Sequence, residues 1–99
     1  MARFDVYRDR ESGVYFLDCQ ADGLTGLTTR FVVPLVPLAD APKQASRLNP
    51  TFAIEGEQVS MLTQFSASVF ERDLGSVITS LAYEHDRIMS ALDMLLTGY

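Results

Sequence analysis

Arg3-Phe4-Asp5-Val6-Tyr7-Arg8-Asp9-Arg10-Glu11-Ser12-Gly13-Val14-Tyr15-Phe16-Leu17-Asp18-Cys19-Gln20-Ala21 is the stretch that decides the fold. Apolar and polar residues alternate through both of its halves, the period of a strand with one face on a core. In the first half Phe4 and Val6 face one way, and Arg3, Asp5 and Tyr7 the other. In the second, Tyr15, Leu17, Cys19 and Ala21 share a face, with Asp18 and Gln20 opposite. Arg10-Glu11-Ser12-Gly13 between them has turn composition, with glycine for a positive φ. A β-hairpin is expected, with strands over 3–9 and 14–21.

Downstream, residues 22–29 read as a loop with Gly23 and Gly26, and the β-branched run 30–35 as a third strand. Pro34 places that strand at an edge or marks its end, because proline cannot donate to a ladder. Residues 36–50 hold Pro37, Pro42 and Pro50 and read as a long connection with one helical turn around 43–48. Residues 51–54 and 58–63 flank Glu55-Gly56-Glu57, a second hairpin signal, and 65–70 adds a strand. Residues 73–79 show no decisive pattern.

The end of the chain has the clearest period. Leu81, His85, Ile88, Leu92, Leu95 and Tyr99 recur at helical spacing, and Ala82, Met89, Ala91 and Leu96 widen the stripe. Ser80 is the expected N-cap, Glu84 lies in the first turn where the helix dipole favours an acid, and Gly98 should end the helix. Leu81, Ile88 and Leu92 are expected in the core. Leu95, Leu96 and Tyr99 lie too near the terminus to be covered easily within one copy, so they are candidates for a dimer or partner surface.

A chain of 99 residues is one domain, 1–99. With 47% apolar and 21% charged residues it has enough apolar material to fold rather than remain disordered. The net charge of −5 disfavours a phosphate backbone and favours a basic partner segment. A single cysteine, Cys19, excludes a disulfide framework. No apolar run reaches the ~18 residues of a membrane span. The opening residues lack a signal peptide's apolar stretch, so a cytoplasmic location is expected.

No zinc-ligand spacing, P-loop or dinucleotide-binding glycine motif occurs, and no metal or cofactor is expected. Cys19 falls on the apolar face of a strand and reads as core, where a thiol is inert without a neighbouring positive charge. His85, on the helix stripe, reads as a core or interface histidine with a satisfied ring. Asp18 and Asp22 flank the first loop; paired carboxylates can do acid–base work, but these read as solvated strand-end acids. The sequence therefore reads as a binding protein rather than an enzyme.

Four stretches resemble the CcdB family of toxins. Val6-Tyr7 with Arg10-Glu11-Ser12 fits the family's first hairpin, and Asp18-Cys19-Gln20-Ala21-Asp22 is similar to its Asp-Val-Gln-Ser-Asp. Arg30 with Val32-Val33-Pro34-Leu35 resembles its arginine and Val-Ile-Pro-Leu, and the terminal helix matches in position and spacing. The resemblance implies a mainly β (α+β) fold: a twisted antiparallel sheet in an SH3-like partial barrel, a smaller sheet, one long C-terminal helix, and a homodimer. It also implies a toxin that binds the DNA gyrase A subunit and traps the cleaved-DNA complex, in a plasmid or chromosomal toxin–antitoxin system. A CcdA-like antitoxin would neutralise it and repress the operon with it, DNA being touched only through these partners.

Carried over, the gyrase-binding residues are Gly98, Tyr99, Thr97, Asp93, Leu24 and Gly23. Thr97-Gly98-Tyr99 stands where the family has Trp-Gly-Ile, Asp93 replaces an asparagine, and Gly23-Leu24 replaces an apolar pair. Arg8, Arg10 and Glu11 are the antitoxin-binding candidates, since an acidic antitoxin tail would be steered to arginines. The alternative is a non-toxic module of the same family that titrates antitoxin or serves operon autoregulation.

Overall fold

The computed structural model describes residues 1–24 and 26–98. Among these residues seven strands and one α-helix follow in the order β1 (Asp5–Asp9), β2 (Tyr15–Asp18), β3 (Thr29–Pro37), β4 (Thr51–Ile54), β5 (Glu57–Met61), β6 (Ala67–Phe70), β7 (Leu74–Ser80) and α1 (His85–Thr97). All the strands join one curled antiparallel sheet, a half-barrel in the order β4-β5-β3-β2-β1-β7, with β6 paired to β3. The smaller sheet implied by the resemblance is thus continuous with the larger one, through β3.

The expected first hairpin is present: Val6 lies opposite Leu17, Tyr7 opposite Phe16 and Arg8 opposite Tyr15. Its strands are shorter than the alternation suggested. Phe4 has φ 70° and breaks the extended run before β1. The second hairpin, β4–β5, closes through Glu55 and Gly56, both at positive φ, the geometry that matches strand twist in a two-residue turn.

Pro34 corrects the sequence reading. β3 is central, not an edge, and runs through the proline to Pro37. β2 lines one side of β3, pairing from Val32 to Leu35. The other side is shared in tandem, β6 pairing 29–32 and β5 pairing 35–37. Pro34 sits at the seam between β6 and β5, where its carbonyl accepts the Leu62 N–H at 3.0 Å and no ladder donor is needed.

β7, in the stretch without a decisive pattern, pairs with β1 across two register irregularities. Gly75 allows this approach, because a Cβ there would stand 2.5 Å from the Arg8 carbonyl oxygen. The long connection is more ordered than expected. A short helical turn covers Leu38–Asp40, and a second ends at Asn49, whose amide donates to the Ala45 carbonyl at 2.7 Å.

The main core lies between the concave face of the sheet and α1. Phe4, Val6, Leu17, Val33, Leu35, Ile54, Val59 and Met61 meet Leu81, Ile88, Ala91 and Leu92 there. A second cluster covers the opposite face: Tyr7, Val32 and Leu74, with Phe16 and Val69 against them. Tyr7, assigned by alternation to the polar face, is therefore buried. Burial pushes its phenol up to about 12, helped by the charges of Asp5 and Asp18.

Candidate functional site

Helix α1 begins later than the periodicity implied. Ser80 ends β7, and its Oγ accepts the Ala82 N–H at 3.1 Å at the entry to the short turn Ala82–Glu84, so it is not the N-cap of the helix. The first half of α1 is anchored by Ile88, Ala91 and Leu92. The last turn leaves the core. Asp93, Met94, Leu95, Leu96, Thr97 and Gly98 are all exposed, and Leu96 keeps 73% of its surface. Gly98 ends the helix as expected, at φ 79°, with its N–H on the Met94 carbonyl at 3.0 Å. The Thr97 hydroxyl turns back to the Asp93 carbonyl at 2.6 Å, so it is spent within the helix. Tyr99, assigned to both the gyrase contact and the dimer interface, lies outside the described residues.

The second part of the expected contact is the turn Asp22–Leu24, where Gly23 and Leu24 are exposed. Its frame comes from both sides. The Gln20 Nε2 donates to the Leu24 carbonyl at 3.1 Å, and the Arg3 amide donates to Asp22 Oδ1 at 2.8 Å. The Arg3 side chain continues to the Cys19 carbonyl and to Met89 Sδ on α1, each at 3.3 Å. The turn is thereby linked to the middle of α1. The exposed end of the helix lies about two turns, ~12 Å, further along the axis.

Beneath the turn lies the largest departure from the sequence reading. Asp18, read as a solvated acid, is fully buried, and so is Arg30. Arg30 donates through Nε (2.9 Å) and Nη2 (2.6 Å) to Asp18 Oδ2, while Asp18 Oδ1 accepts the Gln20 amide at 3.0 Å. Burial pushes the Asp18 carboxyl up, and the Arg30 guanidinium and Gln20 amide oppose that rise. Gln20, also assigned to the polar face, is 8% exposed. Both sit on the side of the sheet that the second cluster covers. Asp22 is exposed, as expected.

The hairpin arginines are engaged within the chain. Arg8 lies over the Tyr15 ring at 4.9 Å, donates to its hydroxyl at 2.8 Å and stands 3.9 Å from Glu55. Arg10 Nε donates to the carbonyls of Arg72 and Leu74 at 3.2 and 3.1 Å, and Glu11 is exposed in the turn. Beside the hairpin runs a groove of about 340 Å³ lined by Arg8, Tyr15, Val36, Pro37, Asp40 and Glu57. It offers a peptide both signs of charge and an apolar floor.

Cys19 is buried as expected, and burial with the nearby Asp18 pushes its thiol up to about 12. The thiolate needed for nucleophilic chemistry is therefore scarce at neutral pH. Of the two places expected for His85, the core is corrected: the residue is exposed. It opens α1, stands edge-on to the Phe4 ring at 5.6 Å and has Nδ1 3.2 Å from Asp86 Oδ1. Helical spacing placed it on the stripe, but on α1 the stripe enters the core only from Ile88. Among the described residues no group of three His, Cys, Asp or Glu could hold a metal ion, and no helix is long and apolar enough to cross a membrane.

Sequence reasoning brought out Leu24 and the helix end but missed Arg3, Gln20 and Arg30, which build the frame around them. No local pattern marks them: Gln20 lies just past the end of β2, Arg30 is the second residue of β3, and Arg3 precedes β1, so only the fold brings the three together.

No curated protein matches the chain. A solved structure described as an endoribonuclease in complex with its cognate antitoxin, from Mycobacterial species, has the same fold. The TM-score is 0.76, at 14% identity, over 97% of this chain and 94% of that one. The family model described as CcdB protein matches residues 3–98. On that match across nearly its whole length, this chain belongs to the CcdB family.

Proposed function

We propose that this chain is the toxin of a toxin–antitoxin pair and that it acts by binding. As a homodimer it would engage the DNA gyrase A subunit and hold the cleaved-DNA complex, with no bond made or broken by its own residues. The observation that carries the proposal is the last turn of α1. Met94, Leu95 and Leu96 stay exposed on a helix whose preceding turns are locked into the core. An exposed apolar tip of this kind suits insertion into a partner, where a few buried contacts supply most of the affinity. Family membership supports the toxin class. The antitoxin in the structural neighbour supports a peptide partner for this fold, and the mixed-charge groove beside Arg8 is its candidate seat.

The test is expression in a host with sensitive gyrase. The full chain is expected to arrest growth and to cause DNA breaks. A chain lacking residues 97–99 is expected to do neither, while remaining folded and binding antitoxin equally. Growth arrest by the truncated chain would remove the helix end as the site. Cleaved cellular RNA with intact DNA would move the activity to that of the structural neighbour.

One observation favours a second reading, a non-toxic module that titrates antitoxin or serves autoregulation. Thr97 stands where the family has tryptophan, and its hydroxyl is bonded back to Asp93. It offers no aromatic plane to stack on an arginine. Expression without growth arrest or DNA damage, with antitoxin binding retained, is the outcome that reading expects.

A further inference from the structure

We propose that Gln20 and Asp22 are positioning residues for partner recognition, fixing the turn that presents Leu24. The proposal rests on the reading of Leu24 as a target contact. Asp22–Leu24 is a single three-residue turn with no buried residue, so it has no core of its own to hold it. Its conformation comes from outside. Gln20 is a buried amide used at both ends: Oε1 accepts the Phe31 N–H of β3 at 2.9 Å, and Nε2 donates to the Leu24 carbonyl at 3.1 Å. The backbone of Gln20 is held in turn by Asp18, which is locked on buried Arg30. A continuous chain of hydrogen bonds thus runs from the interior of β3 to the carbonyl of the exposed leucine.

Asp22 closes the other side. Its Oδ1 takes the Arg3 amide, and the Arg3 side chain reaches Met89 on α1, the helix that carries the other half of the proposed surface. Each polar member of Asp18-Cys19-Gln20-Ala21-Asp22 therefore shapes the turn that follows it. A leucine held in place before binding loses less freedom on binding, which raises affinity without a new contact.

Three variants of the full chain test this. Gln20→Met keeps the side-chain length and removes both of its hydrogen bonds. Asp22→Ala removes the second tether at an exposed site, and Asp22→Asn keeps an acceptor there. The reporters are the amides of Leu24 and Leu27, bonded to the carbonyls of Ala21 and Leu24. Their hydrogen exchange, referred to Val33, is expected to rise about tenfold in Gln20→Met and Asp22→Ala and to stay unchanged in Asp22→Asn. Affinity for the gyrase A subunit is expected to fall about fivefold in the first two, with the melting temperature of Asp22→Ala unchanged.

Unchanged exchange in Asp22→Ala overturns the proposal. So does faster exchange with undiminished gyrase affinity. A wild-type chain that does not bind gyrase overturns the functional reading instead, and the exchange measurement alone then decides whether these residues hold the turn. If Gln20→Met fails to fold, the contrast between Asp22→Ala and Asp22→Asn decides by itself.

Discussion

Ile88 and Leu92 continue into Leu95 and Leu96 with the same apolar spacing, yet the first pair is closed off from water and the second stands in it. The first half of α1 packs on the sheet through Ile88, Ala91 and Leu92; the last turn contributes no residue to that core. The comparison teaches that a helical stripe reports which face is apolar, not how far the support extends beneath it. The unsupported part of a stripe is where a partner can add its own surface.

The sharpest way to test this contrast is to truncate side chains in both halves. Ile88→Ala is expected to cost about 2–5 kcal/mol of stability, read by urea unfolding, because a filled core position is emptied. A smaller loss would mean that the first half is packed more loosely than its burial indicates. Leu96→Ala should change stability by less than about 0.5 kcal/mol, yet weaken gyrase binding by about 2 kcal/mol in a titration. Equal losses in both measurements would erase the distinction between the two halves.

Gly98→Ala probes the boundary itself. An alanine at φ 79° should cost about 1 kcal/mol and fray the last turn, visible as faster exchange of the residue-98 amide that bonds to the Met94 carbonyl. The smallest effect lies far from the helix and serves as a control. Asp9 is held below the ordinary aspartate range by the Ser12 amide and hydroxyl. A depressed folded value stabilises above the unfolded value and loses that stabilisation as pH falls through the folded one. Ser12→Ala should raise the Asp9 titration midpoint by carboxyl NMR, and the advantage of the wild type over it should be complete above about pH 4 and fall away as pH drops below that, through the depressed folded value. Gyrase binding should not change.

Much of the sheet was legible because alternation and turn chemistry agree at both hairpins. The main misreading, at Tyr7, Asp18 and Gln20, has one cause. Alternation shows that two faces differ, but it does not show that the second face is also covered. Here Val69 and Leu74 complete a cluster on that side, and polar residues assigned to water are enclosed by it. β7 was illegible for another reason: Gly75 and Ser76 dilute its apolar signal, since close approach to Arg8 requires a missing side chain at Gly75. Of the candidate site, the exposed apolar residues could be read directly. The frame that holds them could not, because Arg3, Gln20 and Arg30 act through folded geometry across distant positions.

Pro34 has a consequence for how the strands find one another. A central strand that must match three neighbours could slide by one place, exchanging every inward side chain for an outward one. Here a slide would carry the ring out of the gap between β6 and β5 and set it against a neighbour with an acceptor left empty. The imino acid thus works as a notch: it adds little grip in the finished protein, but it makes the wrong alignment costly from the first encounter.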